Sequence, residues 1–114
     1  MDMISYQLES KKTAIYPDHG TGCINALAYC TLGLCGEAGE VANKIKKLMR
    51  DEDTLALRLK ITQEMGDVLW YLAQLATEMD VTLDVIATQN LGILRERAEK
   101  NKLHGEGDDR QLTQ

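Results

Sequence analysis

Two pairs of carboxylates stand out among the residues able to do chemistry: Glu37 and Glu40 in the run Glu-Ala-Gly-Glu, and Glu64 and Asp67 in Glu-Met-Gly-Asp. Within each pair the acids are three apart, and on an α-helix that spacing separates them by about 60° around the axis and about 4.5 Å along it. Each pair therefore points both carboxylates off one helix face. The 23 residues between Glu40 and Glu64 are enough to finish one helix, turn, and return antiparallel, so the two pairs can face each other. Four like charges gathered in a partly dry cleft repel one another and need a cation. Oxygen donors with no thiol or imidazole among them suit Mg²⁺ or Mn²⁺ better than zinc. A ferritin-like di-iron centre is disfavoured, because neither His19 nor His104 follows a glutamate in the Glu-x-x-His relation such centres use.

The plainer reading places both acidic pairs on solvated helix surfaces, and the neighbouring residues speak against it. Ile61, Glu64, Val68, Tyr71, Leu72 and Leu75 follow the i, i+3, i+4, i+7 pattern of a core-facing stripe, with Asp67 at its margin. A carboxylate thus interrupts an apolar face. Leu34, Glu37 and Val41 share a second stripe, with Glu40 adjacent. Glycine inside a helix costs about 0.8–1.0 kcal/mol relative to alanine, so Gly33, Gly36 and Gly39 predict close approach by another backbone or a ligand.

The elements that must hold these acids are helical throughout. Proline occurs once, at Pro17, and phenylalanine never, while Leu, Ala, Glu, Lys and Met are plentiful. The expected fold is all-α: four antiparallel helices in a four-helix-bundle-like arrangement, forming one domain over residues 1–100. The first helix is predicted from Ile4 to Ile15, ending at the Pro17, Asp18, Gly20 and Gly22 breakers. The second runs from Gly22 to Arg50. The third spans Thr54 to Met79, with Asp51 or Asp53 as its cap, and the fourth begins at the cap Thr82, carries Leu83, Ile86, Asn90, Ile93, Leu94 and Arg97 near one side, and fades at Lys100. Residues 101–114 read as a polar, glycine-bearing tail.

At 114 residues, a helical domain buries only a modest core by itself, so a homodimer or homotetramer that completes the core is expected. The formal charge of −5 argues against a nonspecific nucleic-acid binder, which usually carries a basic surplus. With no leader pattern and no apolar run of membrane-spanning length, the expected location is cytoplasmic, with no membrane partner. Cys23, Cys30 and Cys35 lack the CxxC spacing of a zinc site and are expected to be buried, reduced thiols.

The segments LGLCGEAGEVANKIKK, EMGDVLWYLAQLA and NLGILRERAEKNKLHGEGDDR resemble the MazG-like family of all-α NTP pyrophosphatases. The family pattern is ExxE followed, after roughly 12 to 28 residues, by ExxD. The resemblance spans about residues 25 to 110. It implies a nucleoside triphosphate substrate, cleaved between its α and β phosphates to a monophosphate and pyrophosphate. It also implies that Glu37, Glu40, Glu64 and Asp67 are magnesium ligands and the catalytic set, in an enzyme that clears unwanted nucleotides, with deoxynucleotides included. Asn90, Arg97 and Lys100 occupy positions similar to a basic pattern near the family's C-terminus, although Ile93 and Asn101 depart from it.

Around the acids, Lys44 and Lys47 follow Glu40 by one and two turns on the same flank, within reach of a metal-bound triphosphate. Both also stand near a helix C-terminus, where positive charge is favourable in any case. Tyr71 is one turn beyond Asp67, with Trp70 beside it, and either ring is a candidate to stack on a base. The alternative class of function is a helical regulatory or interaction module that binds metal or nucleotide without turnover.

Overall fold

The computed structural model describes residues 1–100. Along the chain lie α1 (Met3–Ser10), a 3₁₀ turn (Lys11–Thr13), α2 (Ile24–Arg50), α3 (Leu55–Glu78) and α4 (Leu83–Glu99). No strand occurs among the described residues, so the all-α expectation with four helices holds. The expected tail, 101–114, lies outside the described residues.

Several boundaries differ from those predicted; α2 begins at Ile24 and not at Gly22, whose left-handed backbone (φ +67°) lies outside the helix. The first helix ends at Ser10 rather than Ile15, because the Ser10 hydroxyl donates to the Gln7 carbonyl at 2.8 Å and the Thr13 hydroxyl to the Ser10 carbonyl at 3.0 Å. Side chains competing for backbone groups tighten the last turn and close the helix. The third helix is capped by Thr54, whose Oγ1 accepts the Leu57 N–H at 3.1 Å, and not by either aspartate. Asp51 and Asp53 instead accept paired hydrogen bonds from Arg50 and Arg58. At α4 the expected cap is present: Thr82 Oγ1 accepts the Val85 N–H at 3.1 Å.

α2 and α3 form a long antiparallel hairpin, joined by the short connection 51–54, and this is the dominant helix pairing. Small residues let the backbones approach. Ala26, Ala73 and Ala76 are fully or almost fully buried, and the core clusters are completed by Tyr16, Cys30 and Leu83, flanked by Tyr6, Leu69, Trp70, Leu72, Leu75 and Ile86. α4 packs chiefly on α1.

Polar side chains, more than apolar ones, seat α1 on the hairpin. The buried Gln7 amide donates to the Thr77 hydroxyl at 3.1 Å and the Val81 carbonyl at 2.9 Å, and accepts the Leu83 N–H at 2.8 Å. Buried Gln74 donates to Ser10 Oγ at 2.7 Å. These bonds satisfy groups that would otherwise be costly inside the protein. Gln7 thus joins α1, α3 and the start of α4.

The connection between α1 and α2 is fixed by Glu78, which is 7 % exposed. Its Oε2 accepts from the Tyr16 hydroxyl at 2.5 Å and the Gly20 N–H at 2.7 Å, and its Oε1 from the Gly22 N–H at 2.8 Å. Gly22 has φ +67°, and a Cβ there would sit 3.0 Å from the Glu78 carbonyl oxygen, so this position requires glycine.

The interior is thin. The radius of gyration, 17.0 Å, exceeds the roughly 13 Å expected of a compact domain of this size. Apolar side chains line an open groove on the hairpin: Ala38, Val41, Met65, Val68, Leu69 and Leu72, with Met65 55 % exposed. Cys30 is buried as expected, but Cys23 and Cys35 are exposed, and all three are free thiols. Cys35 lies five residues beyond Cys30, a rotation of about 140° on a helix, which turns it off the packed face. Cys23 precedes the first residue of α2.

Candidate metal centre

Helix periodicity places Glu37 near the middle of α2 and Glu64 and Asp67 near the middle of α3. The antiparallel register then sets them opposite one another. One carboxylate oxygen from each of Glu37, Glu64 and Asp67 lies within 4.8 Å of the other two; Glu37 and Glu64 are half-buried and Asp67 is exposed. Such convergence raises the Glu37 carboxyl above its ordinary range: burial is the main cause, followed by the Glu64, Asp67 and Glu40 carboxylates.

Glu40 stands outside that cluster of three, with its side chain 54 % exposed. Its rotation of about 60° from Glu37 carries it toward the outer flank of α2. It is tied to the cluster by Lys44, whose Nζ lies 3.0 Å from Glu64 Oε1 and 3.6 Å from Glu40 Oε2. The Lys44 ammonium holds Glu64 below the usual carboxylate range, against the effect of burial, and is itself raised by Glu64 in return.

Beside the acids, Tyr71 packs flat against Gly33. A Cβ on Gly33 would lie 2.2 Å from Tyr71 Cε1, so only glycine admits the ring. Gly33 thus has a close neighbour, but it is a side-chain ring and not the backbone or ligand expected, whereas a Cβ on Gly36 or Gly39 would meet nothing within 4 Å; those two glycines face open space among the described residues. Tyr71 is close enough to Glu37 and Asp67 for their charges to add to burial and to Tyr29 in raising its phenol. Gly33→Ala is expected to force Tyr71 out of this seat and to destabilise the fold by about 1–3 kcal/mol, read by urea denaturation; an unchanged midpoint would show that the ring has another place to go.

Trp70 is engaged elsewhere. Its Nε1–H donates to Thr13 Oγ1 at 2.9 Å, and its ring meets Tyr71 and Tyr16 edge-on, with centroids at 5.0 and 6.4 Å. Tyr16 in turn stacks on Tyr29 at 5.2 Å. The ring that faces the acids is Tyr71.

The remaining basic residues are spread more widely. Lys47 is exposed in the last turn of α2, where its charge adds a minor share to the lowering of Asp51, mainly caused by Arg50. Asn90, Arg97 and Lys100 belong to α4 or its end; Asn90 is exposed, Arg97 half-buried, and Lys100 Nζ is 2.9 Å from Glu96 Oε1. One neighbour escaped the sequence reading: Tyr6 of α1, half-buried, whose phenol is raised by burial and then by the Asp67 carboxylate. Its place in a helix of only eight residues gave no signal of proximity to α3.

Among the described residues no helix is long and apolar enough to cross a membrane. Residues 27–101 match the MazG nucleotide pyrophosphohydrolase domain, a span that contains all four acids. Gene 37 protein of Mycobacterium phage L5 is 46 % identical over 109 residues, covering 92 % of this chain and 96 % of that protein. No solved structure matches significantly. The chain belongs to the MazG nucleotide pyrophosphohydrolase domain family.

Proposed function

We propose that the protein hydrolyses nucleoside triphosphates, deoxynucleotides among them, to the monophosphate and pyrophosphate, with Mg²⁺ held by Glu37, Glu40, Glu64 and Asp67. The observation that carries this reading is the convergence of Glu37, Glu64 and Asp67, three carboxylates from two antiparallel helices, within 4.8 Å in a chain of this family. The donor set fits the ion: hard oxygens suit Mg²⁺, with Mn²⁺ as a substitute, and no nitrogen or sulfur competes in the cluster. When bound, such an ion neutralises phosphate charge, polarises the phosphorus centre and lowers the pKa of water.

The protein's own residues have complementary tasks. An acidic centre repels a polyanionic substrate, so attraction must come from a bridging cation and from ammonium groups at its edge. Lys44 is placed at that edge, with Lys47 farther along the same helix. Tyr71, fixed by Gly33, offers a ring face or edge for the nucleoside. Asn90, Arg97 and Lys100 supply further phosphate contacts if α4 meets the substrate in an assembled oligomer. A second copy covering the apolar groove at Ala38, Val41, Met65, Val68, Leu69 and Leu72 gives a homodimer or homotetramer, and the role assigned to it is housecleaning of the nucleotide pool in the cytoplasm.

The test is product identity. Purified protein with Mg²⁺, offered canonical and modified NTPs and dNTPs, is expected to release pyrophosphate from at least one of them. Orthophosphate as the first product would overturn the reaction, and tight nucleotide binding without hydrolysis would favour a regulatory module.

A further inference from the structure

The position of Lys44 is unusual for a lysine. Its side chain is 21 % exposed, where lysines are ordinarily solvated, and its ammonium points into the seam between α2 and α3 rather than away from it. There it contacts Glu64 Oε1 at 3.0 Å and Glu40 Oε2 at 3.6 Å. Lys46, Lys47 and Lys60 on the same two helices are all exposed. Lys44 therefore sets the spacing between Glu40, on the outer flank, and the inner cluster of Glu37, Glu64 and Asp67.

An ammonium and a divalent ion make opposing demands on the same oxygens. While Lys44 donates to Glu64 and attracts Glu40, those carboxylates are less available as ligands, and a cation entering the cluster repels the ammonium beside it. The four-carbon stem of lysine lets the charge swing without moving the helix. An incoming triphosphate offers it a replacement anion.

We propose that Lys44 is a positioning residue that competes with the divalent ion for Glu40 and Glu64, so that the ion is held weakly until a nucleoside triphosphate draws the ammonium away. The nucleotide half of this inference rests on the pyrophosphohydrolase reading; the competition does not. Because coupling between two ligands is reciprocal, the nucleotide tightens the metal and the metal tightens the nucleotide by the same factor. Lys44 thereby ties retention of the ion to the presence of substrate.

The full-length chain is titrated with Mn²⁺ alone, free ion being followed by electron paramagnetic resonance, for wild type, Lys44→Met and Lys44→Arg. Lys44→Met is expected to bind Mn²⁺ roughly tenfold more tightly than wild type, within the usual range of coupling factors. Lys44→Arg, which keeps a cation in the seam, is expected to stay near wild type. Adding a non-hydrolysable triphosphate analogue is expected to tighten Mn²⁺ binding by a larger factor in wild type than in Lys44→Met, where only direct bridging of the ion by phosphate remains. Equal or weaker Mn²⁺ binding by Lys44→Met would overturn the competition, as would absence of Mn²⁺ binding by every form.

Should Lys44→Met fail to fold, the wild type decides alone. The ¹⁵N resonance of the Lys44 ammonium is expected to move toward that of a solvated lysine as Mg²⁺ is added, and no movement at saturation would refute the proposal. Pyrophosphate release is scored separately. A competing Lys44 in a protein that releases none would remove the assigned activity and leave the competition standing.

Discussion

Asp67→Asn and Glu64→Gln are each expected to lower pyrophosphate release by at least about a hundredfold, the scale on which single charge-stabilising groups matter in other active sites. The substitutions keep side-chain volume and remove one negative charge. Asp67 is exposed, so asparagine there costs no packing and relieves repulsion within the cluster; its thermal midpoint is expected to equal or exceed that of wild type. Glu64→Gln also loses the ion pair with Lys44, and its effect is read beside that of Lys44→Met to separate the two. Glu40→Gln measures the fourth carboxylate, which is joined to Glu64 through Lys44 and adds its charge to the others at Glu37. Full activity in both Asp67→Asn and Glu64→Gln, with the helical content preserved, would eliminate the assigned centre.

The second large effect concerns stability. Glu78→Gln is expected to destabilise the protein by roughly 3 kcal/mol, because glutamine has one acceptor oxygen where three donors converge, and its amide group confronts a backbone N–H. For a domain of this size, that is a fall in melting temperature of more than about 10 °C. The pH dependence has a definite sign. Burial opposes the charged form of Glu78, but the Tyr16 hydroxyl, the Gly20 and Gly22 N–H groups and His19 together hold its carboxyl below the ordinary value of 4.5. A group with a depressed folded pKa stabilises above its unfolded pKa, and that contribution disappears as pH falls through the folded value. Wild type is thus expected to lose stability on acidification below about pH 4.5 more steeply than Glu78→Gln. Parallel acid profiles would assign the loop's anchorage to other contacts.

Helix number, the antiparallel hairpin and the stripes bearing Glu37 and Glu64 were readable from periodicity, since those signals repeat over many turns. Thr82 was legible as a cap because it directly precedes the apolar periodicity that starts at Leu83. At α3 three candidate residues crowd the turn, and the arginines decided it: Arg50 and Arg58 engaged the aspartates and left the cap to Thr54. The structural roles of Glu78 and Gln7 were hidden for a different reason. Each is a single polar residue whose partners lie more than fifty positions away, and no local pattern encodes such a pairing. The separation of Glu40 from the other acids was equally hidden, because spacing places a residue on a helix flank but does not say which way a lysine one turn later will lean.

The placement of the acids at mid-helix bears on how the proposed centre would take up an anion. Glu37, Glu64 and Asp67 all lie at least nine residues from the nearest end of α2 or α3. The macrodipole acts only within the terminal turns, and every N–H in a helix interior is already engaged with a carbonyl. The main chain therefore has nothing to offer a phosphate here, in contrast to glycine-rich loops that cradle phosphate with free amides. In the proposed activity, recognition of phosphate would therefore rest on side-chain charge and on what that charge recruits. Such a centre would be abolished, or retuned for another polyanion, by changing a few side chains along the seam while the helices that carry them stay as they are.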